Sequence, residues 1–124
     1  MLSELIRHLH SIIVGHITHD QTDQDILIGG SVFYATLVAH YLGVQSHLWS
    51  SVGEDFRFTP LLDHLSKQII PSKYTTTFYN HYRSDQSRVQ YLAQTADPLR
   101  PEMFKKTFKQ SVICLLYTSP SPRD

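Results

Sequence analysis

The chain has 124 residues, 41% of them hydrophobic, 18% charged and 11% aromatic, which is enough apolar material for one cored domain and too little length for two. Eleven Lys and Arg balance eleven Asp and Glu, so no net field draws the chain to nucleic acid or to an anionic membrane. The single cysteine, Cys114, excludes an internal disulfide framework; no apolar run approaches the roughly 20 residues of a membrane helix, and Met1-Leu2-Ser3-Glu4 does not open a signal peptide, which makes the cytoplasm the expected compartment.

Leu2, Leu5, Ile6 and Leu9 fall at i, i+3, i+4 and i+7, a short helical stripe. Ser11 to Thr18 is rich in β-branched residues, and its Ile12-Ile13-Val14 run predicts a first strand buried on both faces of a mostly parallel sheet. After the polar stretch from His19 to Asp25, Ile26-Leu27-Ile28 predicts a short returning strand broken at Gly29-Gly30. Ser31 to Leu42 starts on a capping residue and stops at Gly43. With Thr36 and His40 as its only clearly polar interior positions, it predicts a well-buried helix. Gln45 to Val52 predicts a second strand, so strand, helix and strand form a right-handed βαβ unit. In the turn that follows, Glu54 and Asp55 read as a solvated pair.

Thr59-Pro60 predicts a helix start, with Leu61, Leu62 and Leu65 as its inner face and an end near Lys67. Gln68 to Pro71 is a short edge segment, and Thr75–Tyr82 and Arg88–Leu92 flank the turn signal Ser84-Asp85 as a hairpin. Pro101 to Phe108 predicts another short helix, and Ser111-Val112-Ile113 opens a further strand. From Cys114 the last eleven residues carry two prolines that oppose a central strand, and they resemble the translated read-through of a sequencing adaptor. The expected division is residues 1–113 as the amino-terminal part of a longer product and 114–124 as a non-native tail.

Three features stand in order: a first strand running into Gly15-His-Ile-Thr-His-Asp20, a Gly29-Gly30 pair entering a helix, and a second strand ending Ser51-Val-Gly-Glu-Asp-Phe56. From about Ile12 to Leu99 this set resembles the PfkB, or ribokinase-like, family of carbohydrate kinases. Thr77-Phe78-x-Asn80-x-Tyr82 is similar to the strand that many members use in a lid over the sugar. The resemblance implies an α/β fold, a partial Rossmann-like, mostly parallel sheet with flanking helices and a small β lid hairpin. It also implies ATP-dependent phosphorylation of a hydroxyl on a sugar, polyol or nucleoside by the full-length parent, with ATP and Mg²⁺ as cofactors and a homodimer through the lid hairpin.

On this resemblance Asp20 matches the substrate-binding aspartate, and Gly29 and Gly30 match the glycines whose backbone approaches the sugar. Thr18, Tyr34 and Asn80 complete the expected substrate site. Ser31 and Tyr34 stand where well-known members carry Lys and Asn, and Thr18 where they often carry Asn. These positions are therefore closer to the polyol- and inositol-directed branches than to an ordinary ribose site. Elementary chemistry fits independently: a polyol is a set of hydroxyls, and it calls for a carboxylate acceptor, closely approaching backbone amides and an aromatic wall.

The family's Gly-Ala-Gly-Asp-like motif, which carries the catalytic base and the anion hole, has no counterpart in residues 1–113. The chain is therefore expected to hold the substrate-side half, with neither the catalytic base nor the ATP pocket, and to be inactive alone. The alternative is a noncatalytic α/β binding or dimerisation module. A weaker reading makes His16, His19 and Asp20 a metal set, although residues 16 and 19 of one strand point to opposite sides.

Overall fold

The computed structural model describes residues 10–104 and 111–115. The stripe at Leu2–Leu9, the predicted helix beyond Phe104 and residues 116–124 lie outside the described residues. In chain order the elements are β1 (His10–Val14), β2 (Thr18–Gln21), β3 (Ile26–Gly29), α1 (Ser31–Tyr41), β4 (Gln45–Gly53) and α2 (Thr59–Leu62). These are followed by β5 (Lys67–Ser72), β6 (Thr76–Tyr82), β7 (Arg88–Gln94), a 3-10 turn (Pro101–Met103) and β8 (Ser111–Leu115).

The strands form two four-stranded sheets. The main sheet has the order β5-β4-β1-β8, and every neighbouring pair in it is parallel. Its apolar runs are continuous because both faces are covered. On one face Ile13 and Leu48, cross-strand partners, pack with Ile17, Val32, Phe33, Leu62 and Leu65 under α1 and α2. Their neighbours Ile12 and Trp49 turn to the other face and pack with Phe104, whose ring stacks on Trp49 at 4.5 Å. Full burial of each such side chain is worth about 1.5–3 kcal/mol.

The second sheet has the order β3-β2-β6-β7. Here β2 is parallel to β6, and β3 and β7 are antiparallel to their neighbours. The expected lid hairpin, β6 with β7, is thus part of a larger four-stranded mixed sheet, here the lid sheet. The difference arises between Gly15 and Ile17, where the strand predicted over Ser11–Thr18 breaks in two. Gly15 N–H still donates to the Trp49 carbonyl at 3.1 Å, but Ile17 N–H is taken by the Ser50 hydroxyl at 3.0 Å. A side chain there replaces the next rung of the ladder, and the chain crosses from one sheet to the other.

Four further expectations are corrected. The N-cap of α1 is Gly30, with Ser31 as the first helical residue and no side-chain cap. The helix is buried only along Val32, Phe33 and Thr36, while Tyr34, Val38 and Tyr41 are exposed. The second helix is a single turn, and Leu65, expected on its inner face, enters the core from the segment after it. In place of the helix predicted from Pro101 there is a 3-10 turn that leads into an extended Phe104. The β8 ladder with β1 runs through Cys114 and Leu115, two residues past Ile113.

Candidate functional site

Asp20 lies inside β2, on the lid sheet and not at the tip of β1. Its cross-strand partners are Leu27 on β3 and Phe78 on β6. Gly29 pairs with Thr18 and so lies diagonally beside Asp20. The carboxylate lies directly over the Gly29 Cα: a Cβ added there would fall 2.6 Å from Oδ1 and closer still to Oδ2. The buried Thr18 hydroxyl donates to Asp20 Oδ1 at 2.9 Å, which fixes one oxygen and leaves the rest of the carboxylate available as an acceptor.

Gly30 follows with φ of 94°, a conformation that a side chain rarely adopts. A Cβ there would fall 2.6 Å from the His16 carbonyl oxygen and 3.3 Å from Ile17 Cα. Both glycines are therefore required by close approach, Gly29 to a carboxylate and Gly30 to the backbone of the crossover. A cleft of about 340 Å³ lined by His16, Thr76, Leu92, Thr95, Ala96 and Pro98 opens nearby, and neither Asp20 nor the glycine pair belongs to its lining. Thr76 is the cross-strand partner of Thr18, so the cleft borders the Thr18–Asp20 pair on the same face of the lid sheet. Strand alternation puts Asn80 on that face too. Its side chain is 7% exposed, and its Oδ1 has no hydrogen-bond partner among the described residues.

Tyr34 is placed differently. Its hydroxyl donates to the Ile28 carbonyl at 3.1 Å, and its ring lines a separate groove with Ser11, Ile13 and Val38. The structure thus brings Thr18, Asp20, Gly29 and Gly30 together, sets Asn80 on the same face and leaves Tyr34 against α1 and β1.

The base of the lid depends on residues that sequence reasoning assigned to solvent or did not single out. Asp55 Oδ1 accepts from Thr75 N–H at 2.9 Å and from its hydroxyl at 2.7 Å, and Oδ2 accepts from Gln94 Nε2 at 2.7 Å. Thr75 immediately precedes β6 and Gln94 ends β7, so one carboxylate ties both lid strands to the end of β4. Burial works against its charge, but the Thr75 and Gln94 hydrogen bonds outweigh that and hold the carboxyl below its ordinary value. Gly53 completes the junction, because a Cβ there would lie 2.7 Å from the Tyr74 backbone. The Val-Gly-x-Asp spacing was visible in the sequence. The partners, some 20 and 39 residues further on, were not.

The histidines of the weaker metal reading have other partners. His16 Nε2 bonds the Asp97 carbonyl at 2.8 Å. His19 stacks on Phe56 at 5.5 Å and accepts Arg57 N–H on Nε2 at 3.2 Å. Burial is the main cause that holds His19 below its ordinary value; Arg57 adds to it, and Asp55 and Asp20 oppose it.

No protein-family model matches the chain, and no curated protein matches it in sequence. Solved structures do share its arrangement. A pyrophosphate-dependent kinase in the ribokinase family, complexed with a pyrophosphate analog and myo-inositol, matches with a TM-score of 0.66 at 19% identity, over 88% of this chain and 40% of its own. The fold is ribokinase-like. A fructokinase from Xylella fastidiosa with bound ATP shares the ribokinase-like fold at a TM-score of 0.63 and 16% identity, over 77% of this chain and 37% of its own. The Methanocaldococcus jannaschii nucleoside kinase, an archaeal member of the ribokinase family, does so at 0.56 and 18%, over 69% and 37%. The chain spans about two fifths of the length of these ribokinase-fold structures. None of its helices among the described residues is long and apolar enough to cross a membrane.

Proposed function

We propose that this chain is the acceptor-binding part of a cytoplasmic ribokinase-type kinase that phosphorylates a hydroxyl of a sugar, polyol or nucleoside. The observation that carries the reading is the Asp20 carboxylate, held by the Thr18 hydroxyl against Gly29, one strand away from a cleft that His16 and Thr76 line. A carboxylate and the neighbouring His16 carbonyl are acceptors, and such a border takes up hydroxyl donors and repels phosphate. The role of Asp20 is to accept hydrogen bonds from substrate hydroxyls and fix their orientation. Asn80 would reach the same ligand from the lid.

The fold family implies a phosphoryl donor, ATP with Mg²⁺ in the expected form. The described residues do not fit it. The glycine pair faces the Asp20 carboxylate and a carbonyl, where a phosphate cradle presents amides and cations. Mg²⁺ takes oxygen-rich ligand sets, and among the described residues no group of three His, Cys, Asp or Glu is gathered to hold it. The donor pocket and the base are assigned to the parts of such kinases that this chain does not span, and the chain alone is inactive. Tyr82 and Tyr91, exposed on the lid strands, support a homodimer through the lid.

Ligand-observed NMR of the 124-residue chain with myo-inositol, fructose and a nucleoside tests the reading. Saturation transfer is expected to at least one of them and to vanish in Asp20→Asn, which keeps the side-chain shape and removes the charge. Equal transfer to the Asn variant, or none to any of the three, would overturn it.

A further inference from the structure

The largest concentration of chemistry outside the candidate site lies at the opposite end of the main sheet. β1, β4 and β5 are parallel, so their first residues share one edge, and the carboxyl ends that lead to the lid share the other. At the amino-terminal edge opens a cavity of about 380 Å³ whose lining includes His10, His40, His47 and His64. Four of the chain's eight histidines thus meet in one place, although they lie on four separate stretches of sequence. Ser11, Gln45, Ser46 and Ser66 share the lining, and no Asp, Glu, Lys or Arg does.

Within this set His40 and His64 form a pair. Their rings are 5.1 Å apart between centroids at an interplanar angle of 77°, and both side chains are exposed. Two imidazoles on one tetrahedral ion, with metal–nitrogen distances of about 2.0–2.1 Å, have centroids roughly 5 Å apart. The observed separation therefore suits a shared ion without rearrangement of the backbone. His47, buried, is engaged with the Ser66 hydroxyl and forms the wall of the cavity.

We infer that His40 and His64 form a binding site for a divalent transition metal ion at the amino-terminal edge of the sheet, remote from the polyol cleft. Imidazole ligands without a carboxylate select zinc, copper or nickel, whereas magnesium and calcium require oxygen-rich sets. No third His, Cys, Asp or Glu completes a metal-binding group of three among the described residues. The ion therefore keeps positions for water, hydrogen-bonded in turn by the serine hydroxyls around the cavity. His40 lies in the last turn of α1, and His64 follows α2 by two residues. The ion would clip the end of α1 to that segment and stabilise the fold by mass action.

Zinc titration of the full chain by calorimetry near neutral pH is expected to show one site. His40→Gln and His64→Gln should each weaken it roughly tenfold or more, since losing even an outer-shell partner costs about that much. His81→Gln, on the lid, should leave it unchanged. In the unsubstituted chain, substoichiometric Cu²⁺ should broaden the imidazole proton signals of His40 and His64 before any others, a readout that needs no variant to fold. Absence of binding, unchanged affinity in both variants, loss of binding in His81→Gln, or first broadening at other histidines would each overturn the assignment.

Discussion

Gly30→Ala separates two costs that usually arrive together. Gly30 and Gly43 both have positive φ, 94° and 77°, and holding a side chain there costs on the order of 1–3 kcal/mol, no less at Gly30, whose ψ of 128° lies outside the left-handed helical region. Their surroundings differ. A Cβ at Gly43 meets nothing within 4 Å, whereas at Gly30 it lies 2.6 Å from the His16 carbonyl oxygen and 3.4 Å from Thr18 N. Both are backbone atoms, so relief requires the crossover to move, together with the fully buried Ile17 and the Thr18 that holds Asp20. Displacing packed backbone of this kind costs about 1–3 kcal/mol more. Gly30→Ala should therefore be less stable than Gly43→Ala by about 1–3 kcal/mol, a difference of several degrees in melting temperature for a domain of this size. Urea unfolding followed through the only tryptophan, Trp49, measures both variants in one assay. Polyol binding should be lost with Gly30→Ala and kept with Gly43→Ala. Equal destabilisation by the two substitutions would refute the close approach as the reason for the glycine.

Asp55→Asn should loosen both lid strands, seen as faster amide exchange over Thr76–Tyr82 and Arg88–Gln94 with little change in β1 and β4. Because the folded Asp55 carboxyl titrates below its ordinary value of 3.8, its contribution is complete above that pH and is lost as the pH falls through the lower folded value; the lid amides should lose protection there in the unsubstituted chain and not in the Asn variant. His19 is also depressed, from 6.5, and the same sign holds: stability is present above pH 6.5 and declines as acidification charges a ring stacked on Phe56, so melting temperature should fall below that pH, and less so in His19→Gln. Phe104→Ala should cost about 3 kcal/mol and shift Trp49 emission to the red, since the stacked ring that covers the indole is removed.

The glycine pair, the acidic residue and the Val-Gly-x-Asp turn were legible because their signals are local: a glycine doublet that ends an apolar run, and an acidic residue shortly after another. So were the parallel βαβ unit and the lid hairpin, whose period and turn residues lie within a few positions of one another. Helix lengths were not. Leu61, Leu62 and Leu65 repeat like a helical face, yet only one turn of helix forms, because Leu65 is buried with Leu62 and Phe33 from the turn that follows, where its N–H bonds the Leu62 carbonyl at 3.0 Å.

Spacing alone determined an α/β arrangement with a parallel βαβ unit, since burial of alternating and continuous apolar runs admits few others. Tertiary structure alone decided that the first strand divides between two sheets, that Asp55 secures the lid, and that four histidines share one cavity. Each of these rests on contacts between residues far apart in the chain, such as Ser50 with Ile17, Gln94 with Asp55 and His64 with His40, and no local pattern records such a pairing before the sheets are formed.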